Sequence, residues 1–172
     1  MEQLYAESSV KQKTTAKVTV LKTILIIGVI FLLGIGFLSG NTLLALLAVV
    51  AVIALVWYWP RFQIEWEYVF CDGQIDFDQI LGGQKRKTIL RIELDDADVI
   101  APMTSSRLDG YRHLPVRDFS SLSPDAEKYG IAIRLEGKED KTVLVFEPNA
   151  KMLRMIHTKF PKKTEIPESV LE

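Results

Sequence analysis

The residues of this chain that could do chemistry are few and lie far apart in sequence. His113 and His157 have no partners near them, and no histidine lies near the single cysteine, Cys71, which we expect to be a small hydrophobic residue at a strand end. The serines and threonines at 104–106 and 120–123 lack the glycine-flanked elbow that presents a nucleophile. We therefore expect no catalytic residues, no cofactor and no enzymatic activity.

Four carboxylates form an acidic cluster: Glu93, Asp95, Asp96 and Asp98. In an extended segment, Asp96 and Asp98 would share one strand face. A calcium site needs several oxygens that converge on one point, and no glycine-bearing calcium loop surrounds these residues. We interpret the cluster as a solvated strand face and expect no metal site.

The densest basic cluster is formed by Lys85, Arg86 and Lys87, with Arg91 beyond them. These four residues are the candidate contact with a lipid or a partner, because a basic side chain near an anionic leaflet gains about 1 kcal/mol. The alternative is a solvated hairpin whose charges protect the edge of a sheet.

The stretch of residues 20–59 determines where these groups lie. It is almost continuously apolar, with one interruption at residues 39–42. A spanning helix needs roughly 20 apolar residues, and a helical hairpin satisfies its own backbone hydrogen bonds, as lipid demands. We predict two uncleaved transmembrane helices, residues 20–38 and 43–59, joined by a tight turn.

The charges that flank these spans predict their orientation. Lysines at 11, 13, 17 and 22 precede or open the first span, Arg61 follows the second, and the turn is uncharged. Positive residues stay on the cytoplasmic side, which predicts a multi-pass protein of the cell membrane with both termini cytoplasmic. Between Thr23 and Trp59 there is no charged side chain, which argues against a transporter or pump that works alone.

Small residues in the spans could let the two helices pack closely. The second span has alanines at a spacing of three and the first has three glycines; ordinary alanine use in a lipid-facing helix is the alternative. The residues are Ala45, Ala48, Ala51 and Ala54, with Gly28, Gly34 and Gly36.

Residues 1–19 are predicted to form a polar cytoplasmic segment, either an interfacial helix or a frayed terminus. After Pro60 the apolar period becomes two, which is typical of half-buried strands. Asp72-Gly73 and Gly82-Gly83 provide hairpin turns. The predicted strands are 62–70, 75–79, 87–94, 99–101, 129–135 and 142–146, with a further candidate at 116–121.

The end of the chain predicts one amphipathic helix. Asn149 is a good N-cap, apolar residues recur on one face up to Phe160, and Pro161 stops the helix. Ser123-Pro124 gives a second helix-start signal. We expect residues 162–172 to form a loose polar tail.

Six or seven short strands in a meander, closed by one helix, best match a pleckstrin-homology-like barrel, in which a C-terminal helix covers the open end of a bent sheet. The predicted fold is therefore a two-helix transmembrane hairpin followed by a mainly-β pleckstrin-homology-like domain over residues 60–161, a β-barrel or meander plus a C-terminal α-helix.

Several short motifs carry a resemblance that covers nearly the whole chain. They are Met1-Glu2-Gln3-Leu4-Tyr5, Glu65-Trp66-Glu67-Tyr68, Ile100-Ala101-Pro102 and Val145-Phe146-Glu147-Pro148-Asn149. The chain resembles a family of small two-span membrane proteins of Gram-positive, mainly anaerobic, bacteria, and its second half is similar to bacterial pleckstrin-homology-like domains fused to membrane spans. The resemblance implies architecture and no chemistry.

Composition narrows the choice of partners. The net charge of -1 gives no electrostatic case for nucleic acid, and one cysteine excludes an internal disulfide. We expect a membrane-anchored binding or scaffolding module that holds a partner protein or a leaflet lipid. The alternative is a structural accessory subunit of a larger membrane complex. The expected partners are the lipid bilayer and either another membrane protein or a second copy of the chain.

Overall fold

The structure is a computed structural model that describes residues 4–137, 139–167 and 170. Two apolar helices come first, α1 (Ala16–Leu38) and α2 (Thr42–Tyr58). Between them Gly40 adopts a φ of +63°, and the Asn41 side chain caps α2 by accepting the backbone N–H groups of Leu43 and Leu44 at 3.0 and 3.3 Å. The segments Ala16–Leu38 and Thr42–Phe62 are long and apolar enough to cross a membrane, which indicates a membrane protein.

The two helices pack closely near the turn that joins them. Gly36 is buried, and a Cβ atom there would lie 2.9 Å from the backbone nitrogen of Ala45. Ala48 is fully buried. Packing was also predicted through Ala54, Gly28 and Gly34, and this is wrong: Ala54 is exposed and both glycines face open space. An α-helix has 3.6 residues per turn, so residues spaced by three rotate gradually away from one face of the helix. Ala54, the last of the four alanines, therefore no longer faces α1.

Within the residues that the structure describes, eight strands form two four-stranded sheets. The first sheet has the order β1-β2-β3-β4 and is antiparallel throughout, and the second has the order β5-β7-β8-β6, with β6 parallel to β8. The strands are β1 (Tyr5–Lys11), β2 (Ile64–Cys71), β3 (Gln74–Leu81), β4 (Lys85–Glu93), β5 (Ala97–Pro102), β6 (Val116–Asp118), β7 (Tyr129–Arg134) and β8 (Lys141–Phe146).

The N-terminal segment is part of the first sheet. Residues 5–11 pair with β2 from Tyr5 opposite Cys71 to Lys11 opposite Glu65, so the prediction of an interfacial helix or a frayed terminus is wrong for them. The inward residues of β1 include Ala6 and Ser8, which are small and give no apolar signal. The partner strand, β2, follows both helices in the sequence, so no local pattern shows that the two strands pair.

The larger hydrophobic core of the described residues lies between the two sheets and is closed by α3 (Ala150–Lys159). Asn149 caps this helix as predicted, since its Oδ1 atom accepts the backbone N–H of Met152 at 2.8 Å. The Tyr68 hydroxyl crosses the core and donates to the carbonyl oxygen of Phe119 at 2.6 Å. The core residues include Phe70, Ile75 and Phe77 of the first sheet, Ile131, Ile133 and Phe146 of the second, and Leu153 and Ile156 of α3.

Two smaller predictions about the second half are corrected. No helix follows Ser123-Pro124, where the chain forms turns. Residues 163–165 run along β5, because the Ile100 N–H donates to Lys163 and its carbonyl accepts from Glu165, both at 2.8 Å. This part of the predicted tail is therefore not loose. Residues 168, 169, 171 and 172 of the tail lie outside the described residues.

Candidate membrane-facing site

The β3–β4 turn lies at the end of the first sheet from which the chain leaves for the apolar helices. At this end the Gln12 N–H donates to Ile64 and the Gly82 N–H donates to Gln63, both at 2.9 Å. Leu81 pairs with Ile64 on one side and with Lys85 on the other. The basic hairpin predicted from the sequence is therefore next to both connections to the helices.

The tip of this hairpin packs directly on the end of the second helix. Gly82 has a φ of +61°, and a Cβ atom there would lie 2.7 Å from the Cβ atom of Pro60. Only glycine suits both the left-handed backbone and the close approach. The contact fixes the hairpin tip against Pro60, which follows the aromatic residues at the end of the second helix.

Aromatic rings and cations meet at the same end. The Lys22 ammonium lies 5.1 Å from the ring centre of Trp59 and 5.3 Å from that of Phe62. The Arg61 guanidinium lies 4.6 Å from the ring of Trp57 and 4.8 Å from that of Tyr58. Cation–π contacts of this kind are favourable, and tryptophan and tyrosine are enriched at the interface between membrane and water.

The predicted basic cluster is divided between two faces of β4. Arg86 forms an ion pair with Glu67, and its Nε atom donates to Asp78 at 2.7 Å. Lys85 and Lys87 lie on the opposite face because neighbouring strand residues alternate. Both lysines are exposed and form no hydrogen bond or ion pair with the described residues.

Arg91 is on the same face as Arg86 but is also neutralised. It donates two hydrogen bonds to the Asp76 carboxylate, from Nε at 2.8 Å and from a terminal nitrogen at 2.6 Å. The hydrogen bond from Arg91 lowers the pKa of Asp76, while partial burial opposes this shift. Of the four candidate residues, only Lys85 and Lys87 therefore offer free positive charge at the hairpin.

Arg86 holds two carboxylates that face each other across β2 and β3. Glu67 is directly opposite Asp78, and the Asp78 side chain is only 9% exposed. The hydrogen bond to Asp78 raises the pKa of Arg86, and the charge of Glu67 adds to this shift. Removing Arg86 would leave like charges in contact, so the residue stabilises the sheet.

The acidic cluster does not form a strand face. Asp96 belongs to a short 3₁₀ turn, Leu94–Asp96, whereas Asp98 lies in β5 and forms an ion pair with Lys141. The prediction that Asp96 and Asp98 share a strand face is therefore wrong, since the turn separates them. Within the ranges 4–137 and 139–167, no group of three or more histidine, cysteine, aspartate or glutamate residues could hold a metal ion.

The remaining candidate residues do not converge. His113 is exposed, His157 lies on α3, and Cys71 is exposed at the end of β2. The serines at 120–123 form structural hydrogen bonds: Ser121 donates from its N–H and its hydroxyl to one oxygen of Glu147, both at 2.8 Å.

A cavity of about 1040 Å³ opens between β4 and the β7–β8 end of the second sheet. Its inner wall includes Ile92, Ile133 and Leu135, and Arg117 of β6 also lines it. Arg117 pairs with the buried Leu144 and lies 5.4 Å from the Phe119 ring, so it is on the inner side of the sheet. Sequence reasoning missed this residue, because a three-residue parallel edge strand has too short a pattern to show its inward face.

Two facing sheets, one closing helix and a helical hairpin inserted between the first two strands define a membrane-attached pleckstrin-homology-like protein. The family described as "Bacterial PH-like domain (DUF6106)" matches residues 2–166. The chain belongs to this family of bacterial PH-like domains. No curated protein and no solved structure matches the chain in the corresponding comparisons.

Proposed function

We propose that this protein is a binding and scaffolding module of the cell membrane, without catalytic activity, whose β3–β4 hairpin docks on the anionic surface of its own leaflet. The observation that carries the proposal is the packing of Gly82 on Pro60, which holds the hairpin at the end of the second helix. Lys85 and Lys87 are exposed beside this contact. Each lysine near an anionic leaflet contributes about 1 kcal/mol.

The proposed topology places both termini in the cytoplasm. Pairing of β1 with β2 supports having both ends of the helical hairpin on one side of the membrane. The lysines that precede α1 and the uncharged turn support the cytoplasm as that side.

Docking can be measured on the full chain in vesicles. A Cys71→Ser, Gln84→Cys variant carries an environment-sensitive fluorophore at the hairpin. We expect deeper burial of the label when phosphatidylglycerol is added to phosphatidylcholine, and reversal by salt. Lys85→Glu with Lys87→Glu should abolish the response, whereas Lys151→Glu with Lys162→Glu, an equal charge change at exposed positions elsewhere, should preserve it. An equal fluorescence response with and without the Lys85→Glu and Lys87→Glu substitutions would refute docking.

A second function, as an accessory subunit of a membrane complex, is favoured by the outer surface of α1. Gly28 and Gly34 there have nothing within 4 Å of an added Cβ atom. Small residues on a lipid-facing surface allow close approach of another helix. In native membranes, crosslinking and pull-down should recover a partner, or a second copy, that Gly34→Leu loses. Unchanged recovery with Gly34→Leu would argue against this function.

A further inference from the structure

Four large hydrophobic side chains outside the apolar helices and the segment 59–62 are well exposed in the described chain. Two belong to the outer strand of the second sheet or the segment after it: Val116, at 54%, begins β6, and Leu122, at 37%, follows that strand. The other two lie elsewhere: Tyr5, at 44%, begins β1, and Met103, at 37%, follows β5. Single exposed hydrophobic residues are common on proteins. Whether Val116 and Leu122 have a function must therefore be judged from their position and their backbone conformation.

The segment 116–122 is tied to the place where the chain enters α1. The Lys13 N–H donates to the carbonyl oxygen of Ser121 at 2.7 Å. Ala16, the first residue of α1, is three residues further, a distance of at most about 10 Å for an extended chain. In the connection between α2 and β2, the ring of Phe62 contacts the Lys22 ammonium of α1. The Ser121 end of the segment therefore lies close to the end of the sheet from which both helices leave.

The two edges of the second sheet differ. The β5 edge is paired along Ile100 by residues 163–165. The β6 edge pairs only with β8 in the described part of the chain, and its outer side has no strand partner. Exposed strand edges are usually protected from association with other strands. A bilayer surface beside β6 would supply that protection.

Leu122 is held in a conformation that a leucine rarely adopts. Its φ is +59°, where the backbone of a bulky non-glycine residue is strained. Hydrogen bonds hold it there: the Ser120 hydroxyl accepts the Leu122 N–H at 3.2 Å, and the Ser121 hydroxyl accepts the Ser123 N–H at 3.1 Å. The segment is thus fixed with its apolar side chain exposed.

We infer that residues 116–122 form a second contact with the lipid, with Val116 and Leu122 in the headgroup layer. Apolar side chains stabilise contact with this boundary in proportion to the area that they bury. Together with the β3–β4 hairpin and the two chain connections, this contact fixes the orientation of the domain on the membrane. The inference depends on the proposed function in one respect, that the helical hairpin crosses the bilayer.

The test uses single cysteines in the full-length Cys71→Ser chain, each labelled with an environment-sensitive fluorophore and reconstituted in phosphatidylcholine vesicles. The sites are Val116→Cys and Leu122→Cys, with Tyr5→Cys and Met103→Cys as controls of comparable exposure. We expect nitroxide-labelled lipids to quench the labels at 116 and 122 and to leave those at 5 and 103 unchanged. Apolar contact also predicts that high salt does not relieve the quenching.

An Ile53→Cys label within α2, where the side chain is 63% exposed, separates the two ways of failing. Absence of quenching at residue 53 would show that the helical hairpin does not cross the bilayer, and the inference would fail with it. Quenching at 53 without quenching at 116 and 122, or equal quenching at all four surface sites, would overturn the inference and leave the membrane crossing intact.

Discussion

The backbone N–H of Gln12 donates a hydrogen bond to the carbonyl oxygen of Ile64 at 2.9 Å, although both apolar helices lie between these residues in the chain. The helices are therefore an insertion into a connection between two adjacent antiparallel strands. In an ordinary hairpin, this connection would be a turn of a few residues.

The first prediction follows from that geometry. Replacing residues 13–63 by Asn-Gly should give a water-soluble domain, because this dipeptide favours the turn that joins two antiparallel strands. A chain that begins at Ile64 and lacks β1 should not fold, since it exposes the core residues that contact Ala6. Circular dichroism and thermal unfolding distinguish the two chains. Equal cooperative unfolding of both would contradict the role assigned to β1.

The second prediction concerns the tip of the β3–β4 hairpin. Gly82→Ala should disturb the contact with Pro60, whereas Gly83→Ala, at a similar φ of +70° but facing open space, should bear only the backbone strain. Both variants lose about 1 kcal/mol or more from the left-handed backbone. A label at Gln84 should report displacement from the membrane only for the Gly82 variant. Identical behaviour of the two would show that the Pro60 contact does not position the hairpin.

The third prediction separates two glycines of α1. A side chain at Gly36 would meet the backbone of Ala45, so Gly36→Leu should push the helices apart and destabilise their pairing by about 1–3 kcal/mol. Gly34→Leu should leave the pairing intact, because that position faces open space. Disulfide crosslinking of cysteines introduced across the two helices measures the effect. Equal crosslinking in both variants would contradict the packing.

The fourth prediction assigns different roles to neighbouring cations. Arg86→Met should lower the free energy of unfolding by about 1–3 kcal/mol, because the buried Asp78 carboxylate loses its partner. Lys85→Met and Lys87→Met should change it by less than about 0.5 kcal/mol, since both residues are exposed. Thermal unfolding in detergent provides the measurement. A stability loss at Lys85 or Lys87 as large as that at Arg86 would show that the ion pairs with Arg86 are not decisive.

The fifth prediction concerns pH. Arg91 lowers the pKa of Asp76 in the folded state, so the pair stabilises the fold above the unfolded carboxyl pKa of about 3.9. This stabilisation is lost as the pH falls through the lower folded pKa. Asp76→Asn should therefore cost up to about 1 kcal/mol at neutral pH, because Arg91 is largely exposed, and nothing in strong acid. A cost that stays constant across a series of thermal unfolding measurements at falling pH would exclude ionisation as its cause.

The parts of the fold that the sequence predicts are those with a strong local pattern. A continuous apolar run marks the helices, period two marks β2, and Asn149 marks the start of α3. Strand β1 could not be found in this way, because its inward side chains are small and its partner is distant in sequence. The pairing of residues 163–165 with β5 was hidden for the same reason: three polar residues have no period.

The sequence predicted the place of the β3–β4 hairpin beside the second helix, which the hairpin follows closely in the chain, but it did not predict how the charged residues pair. The pairing of Arg86 with Glu67 and Asp78 depends on register, and the register shifts at a bulge between Phe77 and Asp78. This shift puts Arg86 and Arg91 on one face although they are five residues apart, which strict alternation would forbid. No spacing in the sequence shows where such a shift occurs.

The position of β1 ahead of both helices imposes an order on biogenesis. During synthesis, Tyr5–Lys11 leaves the ribosome first and has no partner until Ile64–Cys71 follows the second helix. The first sheet can close only if β1 and β2 lie on the same side of the membrane. A molecule in which just one of the two helices crossed would therefore keep an open core that proteolysis can recognise.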